Sequence, residues 1–150
     1  MSNDAEVHAF LLSHLQAIQE NDIETYRLTT SEDLTLYEWW VTPHRLDGLP
    51  FHEFMMSENA KRGAVFGAEE LSGGVAGFEP RTRMDLANLI IQRYGDTAIA
   101  SYTLLVTTGN QAGVKVAAHN ESRVMVKIDG RWKVVHVHKS PAWPAQHTQP

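Results

Sequence analysis

The sequence predicts an α+β domain in which N-terminal helices pack onto one curved antiparallel sheet. Three observations predict it. Apolar residues recur at helical spacing near the N-terminus, alternating runs separated by turn residues fill the stretch from Arg81 to Ser140, and the last run, RVMVKIDGRWKVVHVHKS, holds two strands meeting at Asp129-Gly130. That pair readily supplies the positive φ angles of a two-residue type I′ hairpin turn. With 150 residues, 43% hydrophobic and 21% charged, the chain suits one globular domain, expected over residues 1–142 with a tail at 143–150.

Taken in order, Val7, Phe10, Leu11, Leu15 and Ile18 predict an amphipathic helix over Asn3 to Glu20, with Asn3 and Glu6 placed like a capping box. Asn21-Asp22 can cap a short second helix reaching about Thr30, with Ile23 and Tyr26 toward the same core. Asp33 to Trp40 reads as a strand that places Leu34, Leu36, Glu38 and Trp40 on one face and Thr35, Tyr37 and Trp39 on the other. A loop over Val41 to Leu49 precedes a third helix, PFHEFMMSENAKR, whose Pro50 fits the first turn. Phe51, Phe54 and Met55 are expected as its buried stripe, with His52, Met56 and Asn59 on the stripe beside it.

Residues 63–80 carry five of the ten glycines without steady periodicity and read as a loop or insertion. Strands follow over Arg81 to Tyr94, Thr97 to Thr108, Val114 to Ile128 and Arg131 to Ser140. In the last, Trp132, Val134, His136, His138 and Ser140 share one face, and Arg131, Lys133, Val135, Val137 and Lys139 the other. Strands of this length favour a strongly twisted sheet. Bent over the helices, such a sheet makes a cone with a pocket at its open end, and its convex face calls for another covering, commonly a second subunit.

A net charge of -5 with scattered basic residues argues against nucleic-acid partners. The absence of cysteine excludes disulfides, thiolate catalysis and cysteine metal sites. No apolar run is long enough for a membrane span and the N-terminus carries Asp4 and Glu6, so a soluble, cytoplasmic protein is expected. No phosphate-binding glycine loop or nucleophile elbow is present, and no cofactor is expected.

The segments LTLYEW, LDGLPFHEFMMSEN, GDTAIASY and NESRVMVKIDGRWKVVHVHKSPA resemble, in order, the association (hub) domain of calcium/calmodulin-dependent protein kinase II. That domain belongs to the nuclear transport factor 2-like superfamily. The resemblance covers most of Asp33 to Ala142 and implies a cone-shaped, cystatin-like α+β fold, homodimers paired through their sheets and higher rings built from dimers; with no kinase domain before it in the sequence, a free-standing relative is expected. It also implies a polar pocket, in which His52 matches a helix histidine and Arg123 a sheet arginine of the family. A second family arginine falls at Thr103, which removes one charge-assisted contact to a carboxylate ligand.

Read on its own, Arg123 shares a strand face with His119, Glu121 and Met125. It can hold a ligand carboxylate or pair internally with Glu121 or Glu38. His52 can line the pocket, and Tyr37, Glu38, Tyr102 and Asp85 are polar candidates at its mouth. His136 and His138 have the two-residue spacing of a chelating pair but no evident further ligands, and no metal is expected. Two functions follow: an oligomeric scaffold or small-ligand-binding domain taking a small anionic ligand, or a cofactor-independent isomerase, cyclase or dehydratase. For the second, Glu38, Asp85, His52 or His136 would serve as base and Tyr37 or Tyr102 as donor.

Overall fold

The computed structural model describes residues 4–61, 81–110 and 112–142. The expected glycine-rich loop and the C-terminal tail lie outside these residues. Three helices, α1 (Ala5–Glu20), α2 (Ile23–Thr29) and α3 (Leu49–Lys61), lie with a six-stranded sheet of β1 (Thr30–Glu38), β2 (Leu46–Asp47), β3 (Arg81–Tyr94), β4 (Thr97–Asn110), β5 (Gly113–Ile128) and β6 (Arg131–Pro141). Strand order is β2-β1-β6-β5-β4-β3, with β1 parallel to β6 and the other neighbours antiparallel. This is the α+β architecture the periodicity predicts.

Helix α1 forms because its apolar stripe can be buried: Val7, Leu11, Leu15 and Ile18 all enter the core. Its start differs from the expected capping box. Asp4 is the N-cap, accepting from the Val7 amide at 3.0 Å. Glu6 instead reaches sideways to the sheet, accepting from Trp132 Nε1 at 2.8 Å and lying 3.1 Å from Lys127 Nζ. Arg93 bonds Asp4 at 3.0 Å and stacks over the Trp132 ring. These contacts fix the helix N-terminus to three strands. At its other end Asn21 adopts φ 55° and its amide closes onto Ala17 and Ile18 carbonyls.

The chain leaves α2 directly into β1, so the first strand starts at Thr30 rather than Asp33 and ends at Glu38. Trp40 therefore lies beyond the strand, in a turn held by Val41 N and Thr42 N on the Glu38 carbonyl. The expected loop contains the short strand β2, paired with Thr35 and Leu36. At the final hairpin Asp129 (φ 51°) and Gly130 (φ 79°) have the paired positive angles that its sequence predicts.

The β1–β6 pair shifts register between Thr30 and Thr35, and two bulges shape the antiparallel part of the sheet. In β3 an extra residue sits between Ala87 and Ile90, with Asn88 at φ 56°, and bends the strand. In β6 Met125 pairs Val134 while Val124 pairs His136, leaving Val135 as the extra residue. The second bulge reverses the expected faces of β6 beyond Val134. Trp132 and Val134 point inward as expected, but Val137 and Lys139 follow them while His138 is exposed.

The other correction is in α3. Phe51 and Phe54 are exposed, at 47% and 60%, and His52 and Met56 are buried instead; the side chains of Met55 and Asn59 lie outside those described. The ring of His52 finds two polar partners inside, which removes the penalty that normally keeps imidazole out of a core. The reversal is measurable by urea unfolding: Met56→Ala is expected to cost about 2–5 kcal/mol, and Phe54→Ala to stay within about 0.5 kcal/mol.

Candidate functional site

The cone interior holds two linked polar groups. In the first, His52 from α3 lies between Tyr26 of α2 and Glu38 at the end of β1. Its Nδ1 bonds the Tyr26 hydroxyl and its Nε2 lies 3.2 Å from Glu38 Oε1. Burial drives the Tyr26 pKa upward, so the phenol keeps its proton, and the His52 ring stands between that hydroxyl and the Glu38 carboxylate. The other oxygen of Glu38 accepts from Lys139 Nζ at 2.9 Å. All four side chains are buried.

The second group lies on the sheet. Arg123 Nη1 is 2.5 Å from Glu121 Oε1 and 2.5 Å from Tyr102 Oη, and the Tyr102 hydroxyl donates to the same Glu121 oxygen at 2.8 Å. Arg123 and Glu121 sit two apart on β5, on the inward face that alternation assigns them, and Tyr102 reaches them from β4. Arg123 Nε is buried without a hydrogen-bond partner among the described residues. Beside these groups, Lys139 lies 5.3 Å over the Trp40 ring, and His119 packs edge-on to Trp39 and tilted against Trp40.

Electrostatics hold both carboxylates ionised. Burial alone would push Glu38 up, but the adjacent Lys139 charge and the His52 hydrogen bond bring it down to about 2. Glu121 is lowered too, burial being outweighed by Arg123 first and Lys139 second. Burial raises the Tyr102 pKa well above its ordinary value, so it remains a donor. His14, from α1, bonds Thr29 Oγ1 through Nδ1 at 2.9 Å and stacks on Tyr26. Its pKa lies well below 6.5, chiefly through burial and then the Arg123 charge, so the ring is neutral.

The sequence candidates divide by face. Arg123, His52, Glu38 and Tyr102 come together inside the cone. Tyr37 and Thr103 do not join them, because their strand neighbours Leu36, Glu38, Tyr102 and Leu104 point inward and alternation turns both outward. Thr103 bonds Asn120, and Tyr37 packs on the His138 ring. Asp85 pairs with Arg83 at the surface. His136 accepts or donates to Thr35 Oγ1 at 2.8 Å on the outer face, away from the interior groups. Sequence reasoning missed Lys139, Tyr26 and His14 as interior polar residues. Lys139 was hidden by the bulge, whereas Tyr26 was expected in the core for its ring alone.

Between Trp40, His119, Glu121, Arg123 and Lys139 on one side and Leu15, Met84 and Leu104 on the other lies a cavity of about 10 Å³. That is about the space of one water-sized sphere. A groove of about 510 Å³ between α1 and β3 shares Leu15, Met84 and Leu104 with it.

A group whose pKa is lower in the folded chain stabilises the fold above its ordinary pKa, and that stability disappears as pH falls through the folded value. For Glu38 the window runs from pH 4.5 down to about 2. The stability difference between the wild type and Glu38→Gln is therefore expected to be on the order of 3 kcal/mol near neutrality, and to shrink as pH drops through that window in urea titrations.

The sequence profile of the calcium/calmodulin dependent protein kinase II association domain matches residues 3–66 and 76–143. Among curated proteins, calcium/calmodulin-dependent protein kinase type II of Caenorhabditis elegans is 27% identical over 128 residues, covering 84% of this chain. The chain spans 15% of the length of that relative. Among solved structures, the kinase's hub homology domain from C. reinhardtii superposes with a TM-score of 0.72 at 25% identity, covering 92% of this chain and 97% of that one. The association domain of the C. elegans kinase gives 0.70 at 24%, covering 90% and 92%. A nuclear transport factor 2-like protein from Cytophaga hutchinsonii gives 0.67 at 17%, covering 94% and 99%, a likeness of fold alone. With the profile matched across both the helical segment and the sheet, the chain belongs to the calcium/calmodulin-dependent protein kinase II association domain family.

Proposed function

We propose that the chain is an assembly domain, a scaffold that associates with copies of itself through the outer face of its sheet. Family membership supports this reading, since the solved relatives are named as hub and association domains. The observation that carries it is the chemistry of that face. A shallow concavity of about 320 Å³ crosses β3 to β6; its outward side chains are Ile90, His138 and six hydroxyl or amide residues, Asn88, Ser101, Thr103, Asn120, Ser122 and Ser140.

None of those six is charged, and each both donates and accepts hydrogen bonds. A two-fold contact brings a patch against its own copy, so charges there would meet like charges, whereas hydroxyls and amides can pair with themselves. Ile90, 45% exposed on the same face, adds apolar area. Dimers, and rings built from dimers, are the assemblies that this surface suits.

A carboxylate-binding role has less support, because Glu121 already occupies Arg123 and Thr103 faces outward. Isomerase-type chemistry has less still. Both interior carboxylates are held below their ordinary range, which makes them weak general bases near neutral pH.

Light scattering on a size-exclusion column tests the assembly. The wild type is expected at a multiple of the 16.8 kDa chain mass, and Ser122→Arg, which sets like charges against each other across the two-fold, at or near the monomer with unchanged circular dichroism. A wild type at 16.8 kDa across the accessible concentration range overturns the proposal.

A further inference from the structure

We propose that His138 makes self-association pH-dependent: uncharged, it lets two copies close over the outer face of the sheet, and protonated, it separates them. The inference rests on the assembly reading above and adds its regulation. It starts from the lining of the outer concavity. Among the described residues there, Glu121 and Tyr102 turn their side chains inward to Arg123, which leaves His138 as the outward one able to change charge. Imidazole does so between about pH 5 and 8.

The β6 bulge builds this position. With Val135 as the extra residue, Val137 and Lys139 enter the core and His138 turns outward between them. It pairs in register with Ser122 of β5 and Tyr37 of β1. In the single chain His138 is exposed, so water can solvate its charged form. A two-fold contact through the concavity covers it in both copies at once.

The surroundings suit the neutral ring and not the cation. From β1, Tyr37 packs its ring 5.0 Å away, and along β6 His136, bonded to Thr35, can add positive charge alone. The carboxylates of the same face are engaged elsewhere: Asp47 of β2 bonds Arg45, Asp33 accepts from Ser31 toward the start of β1, and Asp85 of β3 pairs with Arg83. From β4 and β5 come Ser101, Thr103, Asn120 and Ser122. A neutral imidazole can exchange hydrogen bonds with these hydroxyls and amides, whereas an imidazolium covered by them is a buried charge without a counter-ion. The assembled form therefore binds fewer protons than the separate chains, and falling pH favours the separate chains.

Light scattering on the full chain at about pH 8 and about pH 5.5, on either side of the imidazole range, tests the inference, with circular dichroism at both. The lower pH stays above the window in which Glu38 loses its charge. The dissociation constant of the wild type is expected to rise at least about tenfold from the higher pH to the lower, with unchanged circular dichroism. His138→Asn, which keeps an uncharged donor and acceptor, should stay assembled at both. His138→Arg, which fixes the charge, should shift toward monomer at both; it carries the test should His138→Asn fail to fold. A wild type monomeric at the higher pH overturns the assembly reading and this inference with it. A wild type equally assembled at both, a His138→Asn that dissociates in acid as the wild type does, or a His138→Arg as well assembled as the wild type leaves that reading in place and overturns the role of His138.

Discussion

The interior of the cone contains ionised groups, and the fold depends on their neutralising one another. Arg123 with Glu121 and Lys139 with Glu38 are four buried charges in two pairs. Removing one member of such a pair leaves an uncompensated buried charge, at a cost of about 3–5 kcal/mol. The pairs also fix the arrangement of elements. Glu38 ends β1, Lys139 lies on β6, and the two strands meet in parallel although a hundred residues separate those side chains in sequence. His52 and Tyr26 then tie α3 and α2 to the same carboxylate.

The pairing requires the β6 bulge. Strict alternation from Trp132 would turn Lys139 to the outside and His138 to the inside, and Glu38 would lose its cation. The one extra residue at Val135 restores Lys139 to the interior and leaves His136 and His138 beside Thr35 and Tyr37 on the outer face. A histidine pair with chelating spacing thereby becomes part of an external wall. The bulge at Asn88 acts on the other half of the sheet, where it bends β3 opposite Tyr102.

Local chemistry made much of this legible in the sequence. Asp129-Gly130 marked its turn because few other residues accept two positive φ angles, and Glu38 was placed among inward residues by simple alternation. What failed depended on distant partners. Nothing in VVHVH distinguishes a bulge from a regular strand, since the extra residue is decided by how β5 and β6 fit together. Similarly, Phe51 and Phe54 outrank His52 in hydrophobicity, and only Tyr26 and Glu38, far along the chain, make the histidine stripe the one to bury. Arg123 was recognised as a special residue, but its choice between a ligand and Glu121 is set by geometry within β5 and by the hydroxyl of Tyr102.

With Arg123 paired to Glu121 and Lys139 to Glu38, the charges inside the cone are balanced without a guest, and the concavity proposed for assembly lies on the other side of the sheet. This division of roles stands or falls with the Arg123–Glu121 pair. A double-mutant cycle in urea unfolding, using Arg123→Met, Glu121→Gln and the double variant, measures their coupling directly. The account predicts a double variant less destabilised than the sum of the single ones by about 2 kcal/mol or more. Additive losses would contradict it, showing that the two residues do not neutralise one another.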